Sequence, residues 1–221
     1  MFVKICGVRG VDEAAHAIQQ GATALGLNFH PASPRYIPYA QAGKMLRSLP
    51  KNSVAVGVFV RPTPDDLWRG IEEIGLHLVQ LYEPDLTALT PVLPLVAGKV
   101  ILAQGVRTQA ELQKLSEDIS SWRNAGAAPY AVLVDAKMEG LHGGTGQTAP
   151  WELIRSWSWE VPLILAGGLT PENVAAAIAA VKPWGVDVAS GVESAPGVKD
   201  REKVRRFIEE ARKTPRPQGR V

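Results

Sequence analysis

Residues suited to acid–base chemistry and to anion binding stand together between Ala131 and Gly146. The apolar run Tyr130–Val134 predicts a strand covered on both faces, and Asp135 falls where that strand leaves the core. Gly143 and Gly144 lie in the glycine-rich loop that follows, and a loop with so few side chains can bring backbone N–H groups close to an anion. The segment thus predicts a carboxylate beside an anion-binding loop, although a structural strand, turn and flexible loop would give the same pattern.

Cys6 is a second candidate, and it is the one cysteine among the 221 residues. It directly follows the short apolar run Phe2–Ile5, so it also stands at the end of a predicted strand. A thiol in that place is either a reactive base or, more commonly, a small buried apolar side chain. One cysteine cannot form an intramolecular disulfide, which favours a cytoplasmic protein.

Short apolar runs alternate with helix-like segments along the whole chain, at intervals of roughly 25 residues. The runs predicted as strands are Phe2–Ile5, Ala24–Phe29, Val54–Val60, His77–Leu81, Lys99–Gln104, Tyr130–Val134, Pro162–Ala166 and Gly185–Val188. Asp12 and Thr170 are predicted as helix N-caps, with Pro171 as a first helical residue. Eight such units favour an α/β fold, a single closed (β/α)8 TIM barrel over residues 1–213, and residues 214–221 are predicted as a basic, solvated tail.

Barrel enzymes place their chemistry at the carboxyl ends of the strands, and the candidate residues fall on that face. Cys6, Arg35 and Asp135 follow the first, second and sixth predicted strands. Gly167-Gly168 and Ser190-Gly191 follow the seventh and eighth, where barrel loops commonly bind phosphate through backbone amides and a helix N-terminus. Two tight turns would also explain these glycines.

Composition narrows the class of ligand. The hydrophobic fraction of 46% and the charged fraction of 21% are those of an ordinary globular protein, and a formal net charge of +2 is too small to indicate nucleic-acid or membrane binding. We find no signal peptide and no run of membrane-spanning length. The four histidines show no metal-ligand spacing: they are His16, His30, His77 and His142. A small molecule is the expected partner, and the oligomeric state stays open.

A set of short motifs follows in a fixed order over nearly the whole chain. They are KICG (Lys4–Gly7), SPR (Ser33–Arg35), VGVF (Val56–Phe59), VQL (Val79–Leu81), LVD (Leu133–Asp135), GGTG (Gly143–Gly146), LAGGLTPENV (Leu165–Val174) and DVASGVE (Asp187–Glu193). Each is weak alone, but the ordered set closely resembles the phosphoribosylanthranilate isomerase family of tryptophan biosynthesis.

The resemblance implies an Amadori rearrangement of a phosphosugar substrate without a metal or cofactor. By motif, Cys6 matches the general base of the family, Asp135 the general acid and Arg35 the residue that holds the anthranilate carboxylate. A partly buried carboxyl group is suited to delivering a proton to the ring oxygen. Nearby cations such as Lys4 or Arg35 would help to lower the pKa of the thiol.

The chain departs from the family in two places. Tyr82-Glu83 stands where His-Gly is usual after VQL, and Gln104-Gly105 stands where an aliphatic or aromatic residue and Arg are common, so the shape of the substrate-facing rim is open. Two alternatives remain. The related isomerase of histidine biosynthesis typically has an Asp in place of Cys6, and a non-catalytic phosphosugar-binding barrel would not need Cys6 and Asp135 together.

Overall fold

The computed structural model describes residues 1–136 and 151–213, and its centre is a closed barrel of eight parallel strands. The strands follow one another around the barrel in chain order, and β1 pairs with β8 to close it. They are β1 Phe2–Cys6, β2 Ala24–Asn28, β3 Val54–Val60, β4 Leu78–Tyr82, β5 Val100–Gly105, β6 Ala131–Asp135, β7 Leu163–Ala166 and β8 Gly185–Val188. The predicted (β/α)8 barrel is confirmed.

Helices follow the strands and cover the outside of the barrel. They are α1 Val11–Gln20, α2 Tyr39–Arg47, α3 Pro64–Trp68, α4 Leu93–Val96, α5 Gln109–Asn124, α6 Trp151–Ser156, α7 Val174–Val181 and α8 Arg201–Lys213. A small hairpin, β9 Glu193–Ala195 with β10 Val198–Lys199, lies between β8 and α8. Within the described part of the chain, no helix is long and apolar enough to cross a membrane.

Two predicted helix starts are wrong. Helix α1 begins after Gly10, which is its N-cap, and Asp12 stands in the first turn, where the helix dipole favours an acid. Thr170 is not the N-cap of α7 either. The Asn173 side chain accepts from the Thr170 amide at 2.8 Å and donates to the Gly168 carbonyl at 2.9 Å, which holds this segment as a turn. Helix α7 therefore starts at Val174, three residues later than Pro171.

Side chains alternate between two cores, as the period of a strand requires. Outward-facing residues such as Val3 and Ile5 pack under the helices, whereas Phe2 packs inside the barrel with Leu78 and Ile101. This inner cluster is apolar; its other buried members are Ala24, Val56, Ala103, Ala131, Leu133, Ile164 and Ala166. Close packing of these side chains makes the barrel a filled core rather than a pore.

A buried ion pair crosses the seam where the barrel closes. Lys4 of β1 and Asp187 of β8 are paired in register, and the Lys4 Nζ donates to Asp187 Oδ1 at 2.8 Å. Lys4 is fully buried, and Asp187 is only 7% exposed. Gly26 of β2 leaves room for the ammonium, because a Cβ there would lie 3.0 Å from Nζ and 2.8 Å from Cys6 Sγ. Burial acts to lower the pKa of Lys4, but Asp187 and, less strongly, Cys6 raise it above its ordinary value.

We expect Lys4→Met to lower the free energy of unfolding by about 3–5 kcal/mol, since it leaves the Asp187 carboxylate buried without its cation. The double variant Lys4→Met/Asp187→Leu should regain most of that loss, because it removes both buried charges together. Urea unfolding of the three proteins measures both values. A single variant that loses less than about 1 kcal/mol would mean that water reaches the Asp187 carboxylate.

Candidate active site

The predicted site residues that the structure describes all lie at the carboxyl end of the barrel. Cys6 and Asp135 are the last residues of β1 and β6, and Arg35 lies in the loop after β2. Gly167 and Gly168 directly follow β7, and Ser190 begins a short 3₁₀ turn after β8 that also includes Gly191. Gly143 and Gly144 lie outside the described residues, so their part in the site stays a prediction.

The thiol of Cys6 is in a dry, charged environment. It is 7% exposed and points into the barrel mouth beside Lys4 and Gly26. Burial raises its pKa, and Asp187 adds to that effect, while the ammonium groups of Lys4 and Lys199 lower it. The net pKa is raised above that of an ordinary thiol. Lys4 thus lowers the pKa of the thiol, as expected, but burial raises this pKa by more.

Asp135 stands at the edge of the mouth, half-buried at the end of β6. Its backbone carbonyl accepts from Val106 at 3.1 Å, and the residue pairs in register with Gly105 of β5 and Ala166 of β7. Gly105 is exposed, and a Cβ at that position would meet no atom of the described residues within 4 Å. Among residues 1–136 and 151–213, the departure at Gln104-Gly105 places no side chain beside this end of β6.

Tyr82 is a site residue that the sequence analysis did not assign. It is the last residue of β4, and its ring packs against the apolar cluster inside the barrel. Burial raises its pKa well above the ordinary value, and the charges of Asp135, Asp187 and Cys6 raise it further. Because β4 ends at Tyr82, this side chain lies at the same end of the barrel as Cys6 and Asp135. The signal in the sequence was the unusual Tyr82-Glu83 pair after VQL.

The guanidinium of Arg35 is held by a carboxylate of the β9–β10 hairpin. Its Nε and Nη2 donate to the two oxygens of Glu193, both at 2.7 Å, and Lys199 Nζ donates to the same carboxylate at 2.9 Å. Burial alone would raise the pKa of Glu193, but the hydrogen bonds from Arg35 and Lys199 lower it below its ordinary value. The Arg35 stem crosses the backbone beside Cys6, since a Cβ on Gly7 would lie 2.5 Å from Arg35 Cδ.

Arg35 therefore fixes its loop to the rim of the barrel. A guanidinium carries five N–H donors, and the pairing with Glu193 uses two of them. The remaining N–H donors can bind a ligand carboxylate, because 22% of the Arg35 side chain is exposed. Loop anchoring and ligand binding are thus compatible in one side chain.

Glycine allows the loops after β7 and β8 to pack closely against each other. A Cβ on Gly191 would lie 1.8 Å from the Leu169 carbonyl oxygen, so no other residue fits there without moving backbone. Gly167 and Gly168 have positive φ values of 91° and 64°, a conformation that favours glycine. Gly168 is exposed, with no described atom within 4 Å of a Cβ. The sequence analysis assigned the phosphate to these loops, and that assignment stays a prediction.

Comparison with known proteins gives one consistent result. The family model described as N-(5'phosphoribosyl)anthranilate (PRA) isomerase matches residues 3–210. A curated relative from Geobacter sp. (strain M21), N-(5'-phosphoribosyl)anthranilate isomerase, is 43% identical, over 96% of this chain and 98% of its own.

Solved structures agree with the sequence comparison. Phosphoribosyl anthranilate isomerase from Thermotoga maritima superposes with a TM-score of 0.84 at 33% identity, over 96% of this chain and 99% of that one. A second isomerase structure, in complex with reduced 1-(o-carboxyphenylamino)-1-deoxyribulose 5-phosphate, has a TM-score of 0.79 at 31% identity, with the same coverage. A barrel that carries a buried thiol and a carboxylate in one mouth, and that matches these proteins over almost its full length, belongs to the N-(5'-phosphoribosyl)anthranilate isomerase family.

Proposed function

We propose that this protein converts N-(5'-phosphoribosyl)anthranilate to 1-(2-carboxyphenylamino)-1-deoxyribulose 5-phosphate, the Amadori rearrangement of tryptophan biosynthesis, in the cytoplasm. The observation that carries the proposal is that Cys6 and Asp135 end two strands of the barrel at its one carboxyl end. The rearrangement needs one acid and one base on the same sugar, and these are the two roles that a carboxyl group and a thiol can fill. Residues 1–213 supply the catalytic domain.

Asp135 is the proposed general acid. Its carboxyl group gives a proton to the ring oxygen of the aminosugar, the bond from C1 to that oxygen breaks, and the nitrogen lone pair forms the iminium at C1. Asp135 ends β6, at the same end of the barrel as Cys6 at the end of β1, so an acid and a base can act on one sugar.

Cys6 is the proposed general base. Its thiolate takes the proton from C2, the C2–H electron pair forms the C1=C2 double bond, and the iminium pair returns to nitrogen. The resulting enol then gives the ketone by losing its O–H proton while C1 gains one. The thiolate is disfavoured by burial in the free protein, but the iminium formed in the first step places a positive charge beside it when it is needed.

Binding is assigned to the two ends of the mouth. Arg35 is proposed to hold the anthranilate carboxylate with the donors that Glu193 does not use, because a guanidinium matches a carboxylate in two parallel bonds. The backbone amides at Gly167, Gly168, Ser190 and Gly191 are proposed to hold the phosphate. Their position after β7 and β8 is the usual phosphate end of a barrel.

We expect Cys6→Ala and Asp135→Asn each to lower kcat by about 10²–10⁴-fold, because each removes one proton transfer. Affinity for the reduced product analogue should change little in either variant. Turnover is measured by the loss of anthranilate fluorescence from freshly made substrate. A Cys6→Ala protein with near wild-type kcat would mean that Cys6 only packs in the core. An inactive wild-type protein would favour a non-catalytic phosphosugar-binding barrel.

We expect alkylation of Cys6 by iodoacetamide to rise about tenfold per pH unit through pH 8, with a midpoint above the value of about 8.5 for a free thiol. The sign follows from burial, which raises the pKa of this thiol and keeps it protonated at neutral pH. Because Cys6 is the one cysteine, the labelled fraction reports on it alone. The same protein in urea is the control, and a folded midpoint at or below the urea midpoint would contradict the expectation.

We expect Arg35→Lys to weaken binding of the anthranilate-bearing substrate by about tenfold or more while leaving ribulose 5-phosphate binding almost unchanged, because lysine cannot form two parallel bonds to a carboxylate. The matched variant Glu193→Gln loosens the loop but keeps the guanidinium, so it should retain the preference for the anthranilate-bearing ligand. Equal losses for both ligands in Arg35→Lys, reproduced by Glu193→Gln, would mean that Arg35 only anchors its loop.

A further inference from the structure

Asn28, the last residue of β2, is a polar side chain on the inner face of the barrel. Gly26 of the same strand faces inward, since a Cβ there would lie 2.8 Å from Cys6 Sγ. Leu25 and Leu27 pack outward under the helices. Because side chains alternate along a strand, Asn28 faces inward again, two residues after Gly26. It is partly exposed there, so a ligand in the mouth can contact it.

Asn28 lies one step beyond the thiol, towards the opening of the mouth. Gly26 pairs in register with Cys6, where β1 ends, and β2 continues to Asn28, roughly 7 Å further towards the carboxyl end of the barrel. After Cys6 the backbone leaves the strand at Gly7, which has a φ of 78°, and the amides of Gly7 and Val8 both donate to the Gly26 carbonyl. A ligand that reaches the thiol from the mouth therefore passes beside Asn28.

The amide group of Asn28 is held in one orientation. Its Oδ1 accepts from the backbone N–H of His30 at 2.9 Å. Because a backbone N–H can only donate, this contact identifies the oxygen and leaves Nδ2 on the other branch of the amide. The backbone of Asn28 is fixed as well, since its carbonyl accepts from the Ile37 amide at 2.9 Å and the residue pairs in register with Val58 of β3.

The two N–H donors of Nδ2 are available to a ligand. Within residues 1–136 and 151–213, the Asn28 side chain forms its one hydrogen bond through Oδ1, and Nδ2 has no partner. A primary amide carries no charge, so these donors suit a neutral oxygen such as that of a sugar hydroxyl. The phosphate and the anthranilate carboxylate are assigned to other groups, so the sugar oxygens are the part of the substrate for which Asn28 is suited.

We infer that Asn28 is a further substrate-binding residue of this isomerase, whose Nδ2 donates a hydrogen bond to the oxygen on C2 of the sugar. The inference rests on the proposed function, in which Cys6 removes the proton from C2. The C2 oxygen is bonded to the carbon that the thiol must reach, and Asn28 is the next inward-facing side chain beyond the thiol on the neighbouring strand. A hydrogen bond to this oxygen withdraws electron density from C2 and favours loss of its proton.

The test uses ribose 5-phosphate and 2-deoxyribose 5-phosphate, two ligands that differ only in the oxygen on C2. We expect Asn28→Ala to bind ribose 5-phosphate about tenfold more weakly than the wild type does, which corresponds to one hydrogen bond of about 1.4 kcal/mol. Binding of 2-deoxyribose 5-phosphate should be unchanged, because this ligand has no oxygen for the amide to contact. Titration calorimetry measures both affinities. Equal losses for both ligands would overturn the assignment.

Asn28 also precedes the loop that carries Arg35, so a second comparison separates a substrate contact from an effect on loop shape. A displaced Arg35 would weaken binding of the carboxylate-bearing reduced product analogue much more than binding of ribose 5-phosphate. Loss of a contact with the C2 oxygen weakens both by the same factor. Asn28→Ser is the matched variant, because Ser keeps an acceptor for the His30 amide but its shorter side chain lacks the N–H donors. A loss confined to the carboxylate-bearing ligand, or full binding in Asn28→Ser, would overturn the inference.

Turnover gives a third check and keeps the inference apart from the proposed function. We expect kcat/KM for N-(5'-phosphoribosyl)anthranilate to fall about tenfold in Asn28→Ala and in Asn28→Ser. Asn52→Ala is the control and should keep full activity, since Asn52 is exposed and precedes β3 at the amino end of the barrel. Unchanged kcat/KM in both Asn28 variants of an active enzyme would overturn the role of Asn28 alone. An inactive wild-type protein would overturn the proposed function and this inference with it.

Discussion

The ion pair between Lys4 and Asp187 closes the barrel and also sets the electrostatics of its mouth. It joins the first strand to the last at 2.8 Å, with both groups shielded from water. In a dry interior, charges act strongly on their neighbours, so Cys6 senses both partners of the pair. Removing either charge would change the barrel seam and the thiol together. The same ion pair therefore supports the closed barrel and affects the Cys6 thiol, so a substitution in the pair would change both.

A second ionic cluster, at the rim, holds the loop that carries Arg35. Glu193 receives hydrogen bonds from Arg35 and Lys199 and so ties the loop after β2 to the β9–β10 hairpin. The Lys199 ammonium also donates to the carbonyl of Ala189, which directly follows β8. Segments that are distant in the chain are thus joined on one side of the mouth. Preorganisation of this kind lowers the entropy that binding must overcome.

Local patterns in the sequence were sufficient to place Cys6 and Asp135, because an apolar strand followed by a polar residue marks the end of a barrel strand. They did not assign Tyr82, since its place in the mouth depends on packing against an inner cluster that is built from several strands. The sequence could have indicated Lys4 and Asp187, because each is the one charged residue in an otherwise apolar strand. The prediction of Thr170 as a helix N-cap was wrong for a local reason, because the Asn173 side chain forms hydrogen bonds that hold this segment as a turn.

The pairing of β1 with β8 also determines when, during synthesis of the chain, the site can form. Lys4 and Asp187 are 183 residues apart in the chain. At a synthesis rate of roughly 5–20 residues per second, on the order of ten seconds or more pass between the two. During that interval the first strand has an open edge, and the thiol of Cys6 lacks the burial that keeps it protonated. A nascent chain of this protein therefore passes through a period of exposure to oxidation and aggregation that ends only when the last strand arrives.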